Sequence, residues 1–141
     1  MPDVEALARV AIGCGLRVHR QLGPGLLESV YEALLAASLA REGLAVERQV
    51  PVSIEIDGLA FKDAFRADIV VGGQLLIEVK SVERLTPIHS KQLLTYLRLR
   101  KSPLGLLMNF GGATFREGLK RIVNDYRAPY PGSDPPSARM I

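Results

Sequence analysis

From Val50 to Ser81 the apolar residues follow an extended-chain pattern, and this stretch limits the available folds more than any other. Val50, Val52, Ile54 and Ile56 alternate with Pro51, Ser53 and Glu55. A period of two gives a strand one core face and one wetter face. Asp57-Gly58 then supplies a turn. Two further strands are predicted in AFRADIVV and LLIEVKS, joined around Gly72-Gly73. Three strands in succession predict a mostly antiparallel meander.

Helical periods flank these strands. Asp3 is placed to cap a first helix in which Val4, Leu7, Ala8, Ala11 and Val18 recur at helical spacing, until Gly23-Pro24-Gly25 interrupts it. A second helix follows, with Leu27, Val30, Tyr31, Leu34, Leu35 and Ser38 on one broad face and Gly43 as its stop. Beyond the strands, Thr86-Pro87 opens a third helix that directs Leu93, Leu94 and Leu97 to the core and ends before Pro103. LGLLMNF is short and continuously apolar, as in a strand buried on both faces. FREGLKRIVNDY is predicted to close the fold as a last helix. The expected class is α/β in the α+β sense, with element order ααβββαβα.

A chain of 141 residues suits one core. The domain is expected over residues 1–127, followed by a proline-rich, loosely held tail over 128–141. Eighteen Lys and Arg against 15 Asp and Glu give a formal charge of +3, which favours polyanions only where the positive charges cluster. Cys14 is the only cysteine, so neither an intrachain disulfide nor a thiolate zinc cluster can form; its small apolar setting predicts a buried structural residue. No apolar run approaches the ~20 residues of a membrane span, and a cytoplasmic location is expected. Neither G-x-G-x-x-G nor the P-loop pattern occurs, which argues against Rossmann and P-loop enzymes.

Within LLIEVKS, Glu78 and Lys80 lie two positions apart, so they emerge on one strand face, about 6–7 Å apart at the backbone. Ile77 and Val79 fill the other face. A solvated face would explain the pair if it stood alone. Asp68 changes the weighting. If the loop after it has two residues, Asp68 pairs with Ile77 and points away from Glu78; with a three-residue loop reaching Gln74, Asp68 lies opposite Glu78. The second register is expected, with Arg66 opposite Lys80. Two opposed carboxylates repel unless a cation sits between them. Carboxylates converging with a lysine suit metal-assisted phosphodiester hydrolysis. Hard oxygen ligands hold Mg2+ or Mn2+, Lys80 orients water or offsets charge on the phosphate, and the Val79 carbonyl offers a further ligand.

The ordered segments GLLESVY, FRADIVV, IEVKS, HSKQLLTYL and GLLMNFG resemble the GxxExxY proteins, a branch of the PD-(D/E)XK nuclease superfamily. The resemblance runs from about Val18 to Asn124, and Gly25, Glu28 and Tyr31 spell the family's name. It implies a restriction-endonuclease-like core, a central mixed sheet flanked by helices. It also implies Glu28, Asp68 and Glu78 as metal ligands, to which the Val79 carbonyl is added from the strand reading above, and catalytic roles for Asp68, Glu78, Lys80 and Gln92. Ala67 stands where the superfamily's nominal proline would precede the aspartate. Gln92 and Tyr96 match a Q-x-x-x-Y helix, with Tyr96 supporting. His89, one turn earlier, and Arg66 are further supporting residues. Lys91, Arg98 and Lys101 mark a possible phosphate-tracking side of the third helix, although a solvated face is the plainer explanation. Nucleic acid is the implied partner, DNA ahead of RNA, with Mg2+ or Mn2+ as cofactor. No membrane partner is expected, and a homo-oligomer or protein partner stays open.

Overall fold

The computed structural model describes residues 2–124 together with 139 and 140. Helix α1 (Val4–Leu22) and helix α2 (Glu28–Arg41) precede strands β1 (Val46–Ile56), β2 (Leu59–Val71) and β3 (Leu75–Lys80). Helix α3 (Pro87–Arg100), β4 (Leu104–Asn109) and β5 (Leu119–Val123) follow, and Arg139–Met140 form a short β6. The sheet order is β1-β2-β3-β4-β5-β6, and only β3 and β4 run parallel, linked by α3. The result is the expected α+β fold with a mixed sheet between helices. The end of the domain at residue 127 and nearly all of the anticipated tail lie outside the described residues.

Local chemistry accounts for the element ends. Asp3 caps α1 by accepting the Ala6 N–H at 2.7 Å. Asp57 and Gly58 take φ of 52° and 79°, the left-handed pair that a two-residue hairpin turn demands. Thr86 caps α3, with Pro87 in its first turn. The core has two parts. Leu7, Cys14, Tyr31 and Leu35 from α1 and α2 pack against Ile69, Ile77, Val79 and Met108. Leu93 and Leu97 from α3 pack against Ala67, Val70, Leu76 and Leu107. Strand alternation therefore sends Ile77 and Val79 toward α1 and α2, and places Glu78 with Leu76 on the α3 side.

Two expectations about helices are corrected. The closing segment contains a single 3-10 turn, Arg116–Gly118, and then becomes β5 rather than continuing as a helix. Every residue of β4 is buried, so its outer backbone groups need partners, and β5 supplies them antiparallel from Leu104–Val123 to Met108–Leu119. Gly118 permits the turn, because a Cβ there would lie 2.3 Å from the Asn109 carbonyl oxygen. The second correction concerns α2. Tyr31, Leu35, Ser38 and Leu39 are buried, whereas Leu27, Val30 and Leu34 are exposed. The Tyr31 hydroxyl fixes this rotation by donating to the Gly23 carbonyl at 2.5 Å and accepting the Leu26 N–H at 3.1 Å; its ring stacks on Phe110, with centroids 4.7 Å apart. Tyr31 thus ties the turn before α2 to the helix itself.

Candidate active site

The site begins where the β2–β3 ladder ends. Val71 pairs with Leu75, Val70 with Leu76 and Ile69 with Ile77, leaving Gly72, Gly73 and Gln74 as a three-residue loop. Gly72 and Gly73 have φ of 59° and 69°, a region that glycine adopts without strain. This is the register anticipated from the sequence, and its next position brings Asp68 and Glu78 face to face. There the side chains replace the ladder. The Val79 N–H donates to Asp68 Oδ2 at 2.8 Å, and the Asp68 N–H donates to Glu78 Oε1 at 3.3 Å. Each carboxylate satisfies a backbone donor of the opposite strand, which holds both within one gap.

That gap is electrostatically loaded. Glu78 is only 6% exposed. Burial pushes its carboxyl up to about 9, reinforced by the negative charge of Asp68 and a hydrogen bond to it, while Lys80 pulls weakly the other way. Tyr96, half-buried on α3, has its phenol raised by burial and then by the charges of Glu78 and Asp68. Its ring stacks on Phe65 with centroids 4.0 Å apart and planes 7° from parallel. The stack on Phe65 fixes the orientation of the Tyr96 ring.

The chain after Lys80 is clamped. The Lys80 carbonyl accepts the Phe110 N–H at 2.8 Å. Buried Asn109 accepts the N–H groups of Val82 and Gly111 and donates to the Val82 carbonyl. The Ser81 hydroxyl donates to the Leu26 carbonyl at 2.6 Å, and the Ser81 N–H approaches Glu28 Oε1 at 3.4 Å. These contacts fix the end of β3 and the position from which the half-buried Lys80 projects.

The other predicted residues are more dispersed. Glu28 reaches the end of β3, but among the described residues no three His, Cys, Asp or Glu side chains converge as a metal cage. Gln92 is exposed on α3 and, among the described residues, forms no hydrogen bond with Lys80. His89 caps α3, its Nδ1 accepting the Thr86 N–H at 3.1 Å. Arg66 does not pair across from Lys80, because the paired stretch stops at Ile69–Ile77; it lies opposite Pro51 and makes a 3.8 Å ion pair with Asp63. Lys91, Arg98 and Lys101 are exposed. Two residues not anticipated from the sequence join the site. Buried Glu32, one turn beyond Glu28, accepts hydrogen bonds from Arg48 and Gln49, and Gln49 also contacts Asp68. The available signal for Glu32 was its place between buried Tyr31 and Leu35.

The mixed sheet thus opens at Asp68, with Glu78 and Lys80 on the adjoining strand. The model of the PD-(D/E)XK nuclease superfamily matches residues 5–122, and the chain belongs to that superfamily. No curated protein and no solved structure matches the chain. Among the described residues, no helix is long and apolar enough to cross a membrane.

Proposed function

We propose that this protein is a metal-dependent nuclease that hydrolyses phosphodiester bonds of nucleic acid, and that within its superfamily it is one of the GxxExxY proteins. The observation that carries this is the juxtaposition of Asp68 and Glu78 in the opened ladder, with Lys80 two residues further along the same strand. The donor set fits Mg2+ or Mn2+. Such ions are often held by one or two carboxylates and keep several waters, and a carboxyl raised first by burial and then by its carboxylate neighbour is a place where a cation relieves repulsion. Asp68 and Glu78 would hold the ion, the Val79 carbonyl is a further donor, and Glu28 is a more distant carboxylate of the same site. The bound ion would supply Lewis acidity toward a phosphoryl oxygen and make water a better nucleophile.

The protein's own groups would do the remaining work. Lys80 offsets negative charge developing on the phosphate and orients the attacking water. Tyr96, kept protonated, offers a hydroxyl donor beside the carboxylates. Gln92, one turn before it, meets the phosphate once nucleic acid lies along α3, and Lys91, Arg98 and Lys101 track the backbone. Val79 N–H holds the Asp68 carboxylate in place throughout.

Incubation with labelled single- and double-stranded DNA and RNA in Mg2+, Mn2+ or EDTA tests the proposal. The expected result is cutting with metal, none with EDTA, and a loss of about 10²-fold or more in Asp68→Ala, the scale of an electrostatic catalytic contact. Nucleic-acid binding without cutting in any metal would favour a non-cleaving binding module on the same fold.

A further inference from the structure

Strand β1 breaks its own alternation beside the carboxylates. Successive side chains of a strand point to opposite faces, yet Arg48 and Gln49 both reach the carboxylate of Glu32. The backbone explains how: Gln49 has φ of 49°, a left-handed conformation that costs a non-glycine residue about 1–2 kcal/mol. Arg48 pairs with Ile69 and Val50 with Ala67, so the distorted residue stands directly across from Asp68.

The hydrogen bonds give the distortion a direction. Glu32 is 6% exposed; its Oε2 accepts Arg48 Nε and Nη2 at 3.0 and 2.8 Å, and its Oε1 accepts Gln49 Nε2 at 2.7 Å. The same Nε2 donates to Asp68 Oδ1 at 3.3 Å. Both partners of this nitrogen are carboxylate oxygens, so the opposite amide orientation would set oxygen against two acceptors. Asp68 Oδ2 is meanwhile held by the Val79 N–H. Each oxygen of Asp68 thus has one N–H donor, Gln49 Nε2 on Oδ1 and the Val79 N–H on Oδ2.

We propose that Gln49, braced by the Glu32–Arg48 ion pair, is a positioning residue that orients the Asp68 carboxylate toward a divalent cation. The proposal rests on the metal-centre reading above. Gln49 touches neither cation nor phosphate; it acts through Asp68. Removing such a partner typically weakens metal affinity or activity 10–100-fold.

The test is calorimetric titration of Mn2+ into the full-length wild-type, Gln49→Gly, Glu32→Gln and Asp68→Asn chains, with thermal unfolding measured on each. Glycine adopts φ of 49° freely, so Gln49→Gly removes the amide without opposing the backbone. Its Mn2+ affinity is expected to fall about 10–100-fold while its melting temperature holds or rises. Glu32→Gln keeps the side-chain volume and is expected to shift affinity in the same direction. Wild-type Mn2+ affinity in Gln49→Gly would overturn the proposal, whether or not the melting temperature changed. If wild type and Asp68→Asn alike fail to bind Mn2+, the metal-centre reading fails and the positioning role fails with it.

Discussion

Lys80→Met is expected to lower metal-dependent cleavage about 10²–10³-fold, the usual cost of removing one preorganised group aimed at developing charge. The substitution keeps a long apolar stem on a half-buried strand residue but removes the ammonium. The strand end should persist, because the Phe110, Asn109 and Ser81 contacts that fix it do not use the Lys80 side chain. Mn2+ binding should stay within several-fold of wild type, since the carboxylates are untouched. Loss of cleavage with retained binding separates the catalytic role of Lys80 from a structural one. Cleavage at the wild-type rate would remove Lys80 from the mechanism.

Glu78→Gln is expected to make the metal-free protein more stable at neutral and mildly alkaline pH. In the unfolded chain Glu78 ionises near its ordinary 4.5, whereas in the folded protein it holds its proton to about 9. Between these values the unfolded state releases a proton that the folded state keeps. Stability of the metal-free wild type therefore declines as pH rises through that window and levels off above it. Glutamine is uncharged, so it carries none of this penalty. The gain should be absent below the lower value, grow through the window and level off near the upper one at several kcal/mol, the linkage cost of so large a shift. Denaturant titrations of both proteins at mildly acidic and mildly alkaline pH check it. The same variant should lose the stabilisation that Mn2+ gives wild type.

How far the fold could be read from the sequence varies from element to element, for physical reasons. The β2–β3 register was legible because a two-residue loop would have thrown Asp68 and Glu78 to opposite faces, and the three-residue loop found at Gly72–Gln74 aligns them. The ends of α3 were legible from Thr86-Pro87 and the proline at 103. The closing segment was not, since Leu119–Val123 carry a helical spacing and become a strand only because buried β4 needs a partner along its edge. On α2 the apolar residues outnumber those the sheet can cover, so composition did not show that Leu27, Val30 and Leu34 stay exposed.

The site divides in a similar way. The juxtaposition of Asp68 and Glu78, with Lys80 further along β3, could be read because strand alternation fixes which side chains share a face. The capping role of His89 has a local signature, three residues after Thr86, and it leaves the ring facing its own helix start. Gln49 has no such signature. Its place depends on a left-handed residue inside a strand and on two acids, Glu32 and Asp68, brought together only by the tertiary fold.

The central claim is that Asp68 and Glu78 form one cation site. The most direct measurement is titration of Mn2+ into metal-free wild type and Asp68→Asn in two buffers of different ionisation enthalpy, at about pH 7.5, where metal binding must displace a ligand proton. The account predicts saturable binding by wild type with release of about one proton per ion as Glu78 ionises, and loss of that binding in Asp68→Asn. Equal binding by both proteins with no proton released, or no binding by wild type, would contradict it.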